Sequence, residues 1–154
     1  MTQLKIKKLK KDAQMPYKAS EDAGAFDLYA CIDEDVFGNR EVLLHSFETK
    51  MIGTGIAAEI PKGYAGMIYA RSGLSIKKGL APANKVGVVD ADYRGEIMVA
   101  LYNHDPEKGY VKVVKHGDRI AQLVIHKIPE IEIVEVDKLS DTDRGEGGFG
   151  STGR

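Results

Sequence analysis

A chain of 154 residues, 43% hydrophobic and 29% charged, has the balance of one soluble globular domain, and a domain of that length buries roughly 70% of its unfolded surface. The formal net charge of −1 excludes the broad cationic footprint of a protein that binds polymeric nucleic acid, but leaves room for a compact phosphate site made from a few local cations. Cys31 is the only cysteine, which excludes an internal disulfide and a multi-cysteine zinc site, and His45, His104, His116 and His126 show no ligand spacing.

The N-terminal stretch MTQLKIKKLKKD has no apolar core of signal-peptide length. No later run approaches the ~20 apolar residues of a membrane span. The expectation is a cytoplasmic protein, or one in a host cytosol if phage-encoded, with no membrane partner. From Leu4 onward the dominant hydrophobic period is two: Leu4 and Ile6 between lysines, then Ile52, Thr54, Ile56, Ala58 and Ile60, then Ile97, Val99 and Leu101, then Ile131 and Ile133. Such alternation buries one face of a strand and wets the other. Strands are predicted over 4–9, 26–31, 41–46, 51–60, 64–70, 86–89, 96–103, 110–114, 119–127 and 130–136. The five lysines between Lys5 and Lys11 predict a solvated edge that resists pairing. One short helix is predicted near 72–78, with Ser72 as cap, Lys77 and Lys78 at its C-terminal end and Gly79 as its stop. Many short strands bounded by Gly, Pro, Asn and Asp make the fold class all-β, a sandwich or barrel. Composition breaks near Leu139. The glycine-dense end SDTDRGEGGFGSTGR cannot build core and reads as a mobile arm, 139–154, on a single domain of residues 1–138.

Five segments carry residues suited to chemistry. In 22–30, Asp27 lies in an otherwise apolar strand, where a carboxylate needs a metal or an arginine partner. In 66–74 a strand ends in Arg71, Ser72 and Gly73 before the helix, a natural place for a phosphate or simply a capped helix. The stretch 84–96 looks like a hairpin. Asp90 within it can serve as general base if a substrate lies alongside, and Tyr93 can pack on a sugar face where an extra hydroxyl would not fit. In 117–125, Gln122 is a polar residue among apolar neighbours. In the arm, glycines allow backbone N–H groups to converge on an anion. Arg144, Ser151 and Thr152 add donors, and Phe149 offers a face for a base.

Taken singly, each segment has a plain structural explanation. Their joint order does not. AFDLYA, RSGL, N-x-x-G-x-x-D-x-x-Y-R-G-E, GDRIAQL and RGxGGFGSTG resemble the five ordered motifs of the dUTP diphosphatase (dUTPase) family, over residues 23–153. The resemblance implies a jelly-roll-like β fold assembled as a homotrimer, with sites shared between chains and closed by the C-terminal arm. It implies hydrolysis of dUTP to dUMP and pyrophosphate, which supplies dUMP for thymidylate synthesis and limits uracil in DNA. It implies Asp90 as the base that activates water for attack on the α-phosphorus, and Tyr93 as the residue against deoxyribose. Asn84 and the backbone around Gly87, Val88, Val89 and Met98 would read uracil. Arg71, Ser72, Gly73 and Gln122 would hold phosphate, and Arg144, Phe149, Gly150, Ser151 and Thr152 would close the arm. Mg2+ would ride on the triphosphate, with Asp27 reaching it through water. One departure is Ala25, where the family's first motif usually has glycine. Three rival readings stand beside this one: a dCTP deaminase on the same fold, a nucleotide-gated binding platform, and a plain structural β trimer.

Overall fold

The computed structural model describes residues 2–107 and 110–148. Eleven elements follow in order: β1 (Lys5–Lys8), β2 (Phe26–Tyr29), β3 (Glu41–Leu44), β4 (Thr49–Glu59), β5 (Tyr64–Tyr69), α1 (Ser72–Lys78), β6 (Leu80–Pro82), β7 (Gly87–Val89), β8 (Glu96–Asn103), β9 (Lys112–Lys115) and β10 (Arg119–Lys127). They form one sheet in the order β1-β4-β8-β6, a second in the order β2-β10-β5-β7, and a two-stranded ribbon β3-β9, with every pairing antiparallel. This is a β-sandwich, one of the two forms that the alternation implied, and the jelly-roll-like fold that the resemblance implied. Of the alternating residues read from sequence, Ile52, Ile56, Ile97, Val99 and Leu101 of the first sheet are buried; they share the core with Leu28, Ile68 and Leu123 of the second sheet and with Leu44 and Val114 of the ribbon. Each such side chain contributes ~1.5–3 kcal/mol by leaving water. Lys5, Lys7 and Lys8 are exposed on β1, an edge strand, as expected of a guarded edge.

Four local expectations need correction. Residues 130–136 form no strand: Ile131 is 73% and Ile133 95% exposed, because the alternation has no neighbouring strand to pair with among the described residues. β6 was not expected; it is only three residues long, ends in a proline and pairs on one side with β8. The cap of α1 is the extended Arg71, with no side-chain cap bond, so Ser72 is already the first helical residue. The helix stop is as expected, since Gly79 takes φ 66° and its N–H reaches the carbonyls of Leu74 and Ser75. Finally, the stretch 84–96 is not a paired hairpin. β7 pairs with β5 in one sheet, while β8 pairs with β4 and β6 in the other, so the turn between them crosses from sheet to sheet. Among the described residues no helix is long and apolar enough to cross a membrane.

Candidate functional site

The crossing makes a cavity. Where the two sheets part at β7 and β8, a pocket of about 270 Å³ opens, lined by Asn84, Gly87, Val88, Val89, Asp90, Tyr93 and Met98 together with Met51, Ile68, Glu96 and Ile97. β7 is an edge strand, so the peptide groups not used toward β5 remain open to a ligand, a ready reader of a ring edge that alternates acceptor and donor. Asn84 stands at the rim. Gly87 leaves it room, since a Cβ there would sit 3.2 Å from the Asn84 amide nitrogen and 3.3 Å from Ile68. Asp90 is exposed at the turn, and its carbonyl accepts the Tyr93 N–H at 3.2 Å. Tyr93 is 46% exposed, with its hydroxyl donating to the Glu96 carbonyl at 3.0 Å. One wall of the pocket thus carries a carboxylate, a ring and free backbone.

A second group lies on the opposite face of the second sheet. Asp27 pairs in register with Gln122, and Gln122 with Tyr69, so the three share a face turned away from the core side chains Leu28, Leu123 and Ile68. With Ala19, Ala23, Gly24, Ala25 and Val124 they line a concavity of about 390 Å³. Asp27 is only 4% exposed, and its charge is met by two arginines: Arg71 Nε donates to Oδ1 at 2.8 Å and Arg119 Nη1 to Oδ2 at 3.1 Å. The arginine partnership considered from sequence is therefore present, and Ala25 in place of glycine does not prevent it. Two cations against one carboxylate leave one positive charge in excess, which suits an anion. Arg119 belongs to the GDRIAQL segment but was given no role from sequence. Only the antiparallel register of β2 and β10 brings it beside Asp27.

Removing this carboxylate should be costly. Asp27→Ala leaves two guanidiniums facing each other without a counter-charge, and breaking a buried pair costs ~3–5 kcal/mol. The Arg119 side chain is 50% exposed and can rehydrate, so a loss of roughly 2–4 kcal/mol is expected. A urea unfolding midpoint equal to that of the parent protein would show that the pairing carries no stability.

The remaining sequence candidates fall outside the first pocket. Arg71 turns toward Asp27 and the Arg119 carbonyl, and Ser72 and Gly73 open α1 beside it. Arg144 is exposed and donates through Nε to the Gly147 carbonyl at 2.8 Å, closing a turn in the arm. Phe149, Gly150, Ser151 and Thr152 lie outside the described residues. A third group, Asp12, Cys31 and His116, places ligand atoms within 4.8 Å of one another, yet its chemistry does not suit a metal. His116 Nδ1 accepts the Ile32 N–H at 3.2 Å, so the neutral ring keeps its proton on Nε2, the nitrogen that faces Asp12 at 3.9 Å. Arg40 already pairs with Asp12, and burial pushes the Cys31 thiol up, away from thiolate.

Solved structures share this architecture. The dUTPase of Staphylococcus bacteriophage 80alpha, as a point mutant with dUpNHpp, superposes with a TM-score of 0.84 at 30% identity, covering 100% of both chains. A mutant dUTPase from phage phi11 of S. aureus, described for its coordination of a structural Mg(II) ion, superposes at 0.79 with 25% identity, covering 91% of this chain and 100% of that one. The chain thus has the all-β fold of these nucleotide hydrolases. The deoxyuridine 5'-triphosphate nucleotidohydrolase of Nautilia profundicola is 46% identical over 151 residues, 98% of this chain and 99% of its own. That of Hydrogenobaculum is 43% identical over 150 residues, 97% of both. The dUTPase family model matches residues 11–153. The chain belongs to the dUTPase family, and it hydrolyses dUTP to dUMP and pyrophosphate.

Proposed function

We infer that hydrolysis takes place in a homotrimer, at sites to which more than one chain contributes. One observation carries this reading. The pocket with Asp90 and Tyr93 opens at the β7–β8 end, while Asp27, Gln122 and Tyr69 lie on the outer face of the second sheet. A single nucleotide needs both a base reader and a phosphate grip, and neighbouring copies supply the second where one chain cannot. The exposed run Ile131, Ile133, Val134 and Val136 supports the same conclusion, because a strand-like apolar edge left in water is stabilised by a neighbouring chain.

In this site uracil lies in the β7 pocket against Asn84 and the backbone of Gly87, Val88, Val89 and Met98, whose closeness excludes a 5-methyl group. Tyr93 packs on the deoxyribose. Asp90 accepts a proton from water, whose oxygen bonds to the α-phosphorus as the bond from phosphorus to the α,β-bridging oxygen breaks and pyrophosphate leaves. Arg71, Ser72, Gly73 and Gln122 bind phosphate oxygens, with the Arg119–Arg71–Asp27 group supplying the positive excess. The domain is residues 1–138. The arm, residues 139–154, closes over the nucleotide through Arg144, Phe149, Gly150, Ser151 and Thr152, with Phe149 over the base.

Asp27 suits magnesium only at a distance: both its oxygens already accept guanidinium bonds, whereas a water in the adjoining concavity could bridge it to an ion on the triphosphate. Mg2+ bound there neutralises charge on the phosphates. The working place is the cytoplasm, where the product dUMP feeds thymidylate synthesis and the depletion of dUTP keeps uracil out of DNA.

A nucleotide panel tests this reading. Pyrophosphate release with Mg2+ is expected from dUTP at least about a hundredfold faster, as kcat/KM, than from dTTP, dCTP or UTP, since the pocket rejects by unpaired polar groups as well as by shape. Ammonia release from dCTP would point instead to a deaminase. Comparable rates on UTP would remove Tyr93 from its assigned place.

A further inference from the structure

Glu96 lines the pocket, and its carboxylate accepts the backbone N–H of Gly55. β4 and β8 lose register between Gly53 and Ala57. Within that bulge the Thr54 hydroxyl donates to the Ile97 carbonyl at 2.6 Å, and the Gly55 N–H donates to Glu96 Oε1 at 2.7 Å. The bulge needs its glycines. Gly55 holds φ +67°, with Cys31 Sγ 2.7 Å from where a Cβ would stand, and a Cβ on Gly53 would lie 2.5 Å from Glu96 Oε1 itself. The same residue is held at its other end: its backbone carbonyl accepts the Tyr93 hydroxyl at 3.0 Å. Gly95, between the two, is equally constrained, because a Cβ there would collide with that hydroxyl.

We propose that Glu96 is the positioning residue for Tyr93: its carboxylate, clamped to the glycine bulge of β4, fixes its own carbonyl, and that carbonyl fixes the ring that excludes a 2′-hydroxyl. The proposal rests on the sugar-facing reading of Tyr93. It ties sugar discrimination to a bulge about forty residues earlier in the chain and on a different strand. No chemistry is assigned to Glu96 itself; the effect passes through one tyrosine hydroxyl, whose anchoring decides how far the ring can tilt away from the sugar.

The test is the ratio of kcat/KM on dUTP to kcat/KM on UTP, measured for the full chain with Mg2+. Glu96→Ala and Tyr93→Phe should each lower this ratio by roughly five- to tenfold, the worth of one net hydrogen bond. The double variant should lose no more than either single, because both cut the same chain of contacts. Gly53→Ala, which displaces the carboxylate without touching it chemically, should follow Glu96→Ala. Glu96→Gln keeps an oxygen for the Gly55 N–H and should stay within about twofold of the parent ratio. Loss of overall rate with an unchanged ratio is what a merely structural role would give, and in folded Glu96→Ala or Gly53→Ala it overturns the proposal. So does Glu96→Gln falling as far as Glu96→Ala. If Glu96→Ala does not fold, Gly53→Ala alone and combined with Tyr93→Phe decides by the same criterion. A parent protein that hydrolyses UTP as readily as dUTP removes the sugar-facing reading and the proposal with it, whereas discrimination retained by all variants removes the proposal alone.

Discussion

Asp90→Asn is expected to lower kcat on dUTP by about 10²–10⁴-fold, the usual contribution of a positioned general base, or ~3–5 kcal/mol on the barrier. Asparagine matches aspartate in size but does not accept a proton at neutral pH. Asp90 is exposed at the turn between β7 and β8, so the exchange leaves the core untouched. It also leaves Asn84, Tyr93 and the open edge of β7 in place around the pocket. Affinity for a non-hydrolysable analogue, measured by calorimetry, should therefore change little while pyrophosphate release collapses. A variant that turns over at the parent rate would move the base elsewhere. A variant that no longer binds the analogue would make Asp90 a binding group in place of a base.

Deletion of residues 144–154 is expected to reduce turnover by about 10²–10³-fold, comparable to losing preorganised donors from around a developing charge. The described part of the arm, residues 139–148, is outside every strand and mostly exposed, and Arg144 bonds within its own turn. None of residues 144–148 is buried, so the truncated protein should keep the parent's oligomeric state in solution and its unfolding midpoint. A large loss of kcat/KM with an unchanged oligomer is the expected pair of results from light scattering and kinetics. Full activity without these residues would remove the arm from the site, and a truncated protein that dissociates would assign those residues to assembly.

Local segments were the most legible part of the site. Asn84, Gly87, Val88, Val89, Asp90, Tyr93 and Met98 lie close together along the chain, and all line one pocket. What misled was the nature of the connection. A run of apolar residues, turn residues and further apolar residues reads as a hairpin, yet the two halves bond to different sheets. Strand alternation specifies which face of a strand is buried and says nothing of which strand lies beside it. The same gap explains residues 130–136. Their period of two is real, but Ile131 and Ile133 stay exposed because a strand also needs a neighbour, and none pairs with them among the described residues.

Composition and the period of two were enough to determine an all-β domain, the guarded edge at β1 and the stop of α1 at Gly79, since each depends on residues within a few positions of one another. The order of five short segments was enough to determine the family. Tertiary structure alone decided that Asp27 is held by Arg71 and Arg119, partners 44 and 92 residues away, and that Glu96 is clamped by Gly55, 41 residues away. Such contacts depend on sheet order and register, which arise from the packing of the whole chain and have no local periodicity to announce them.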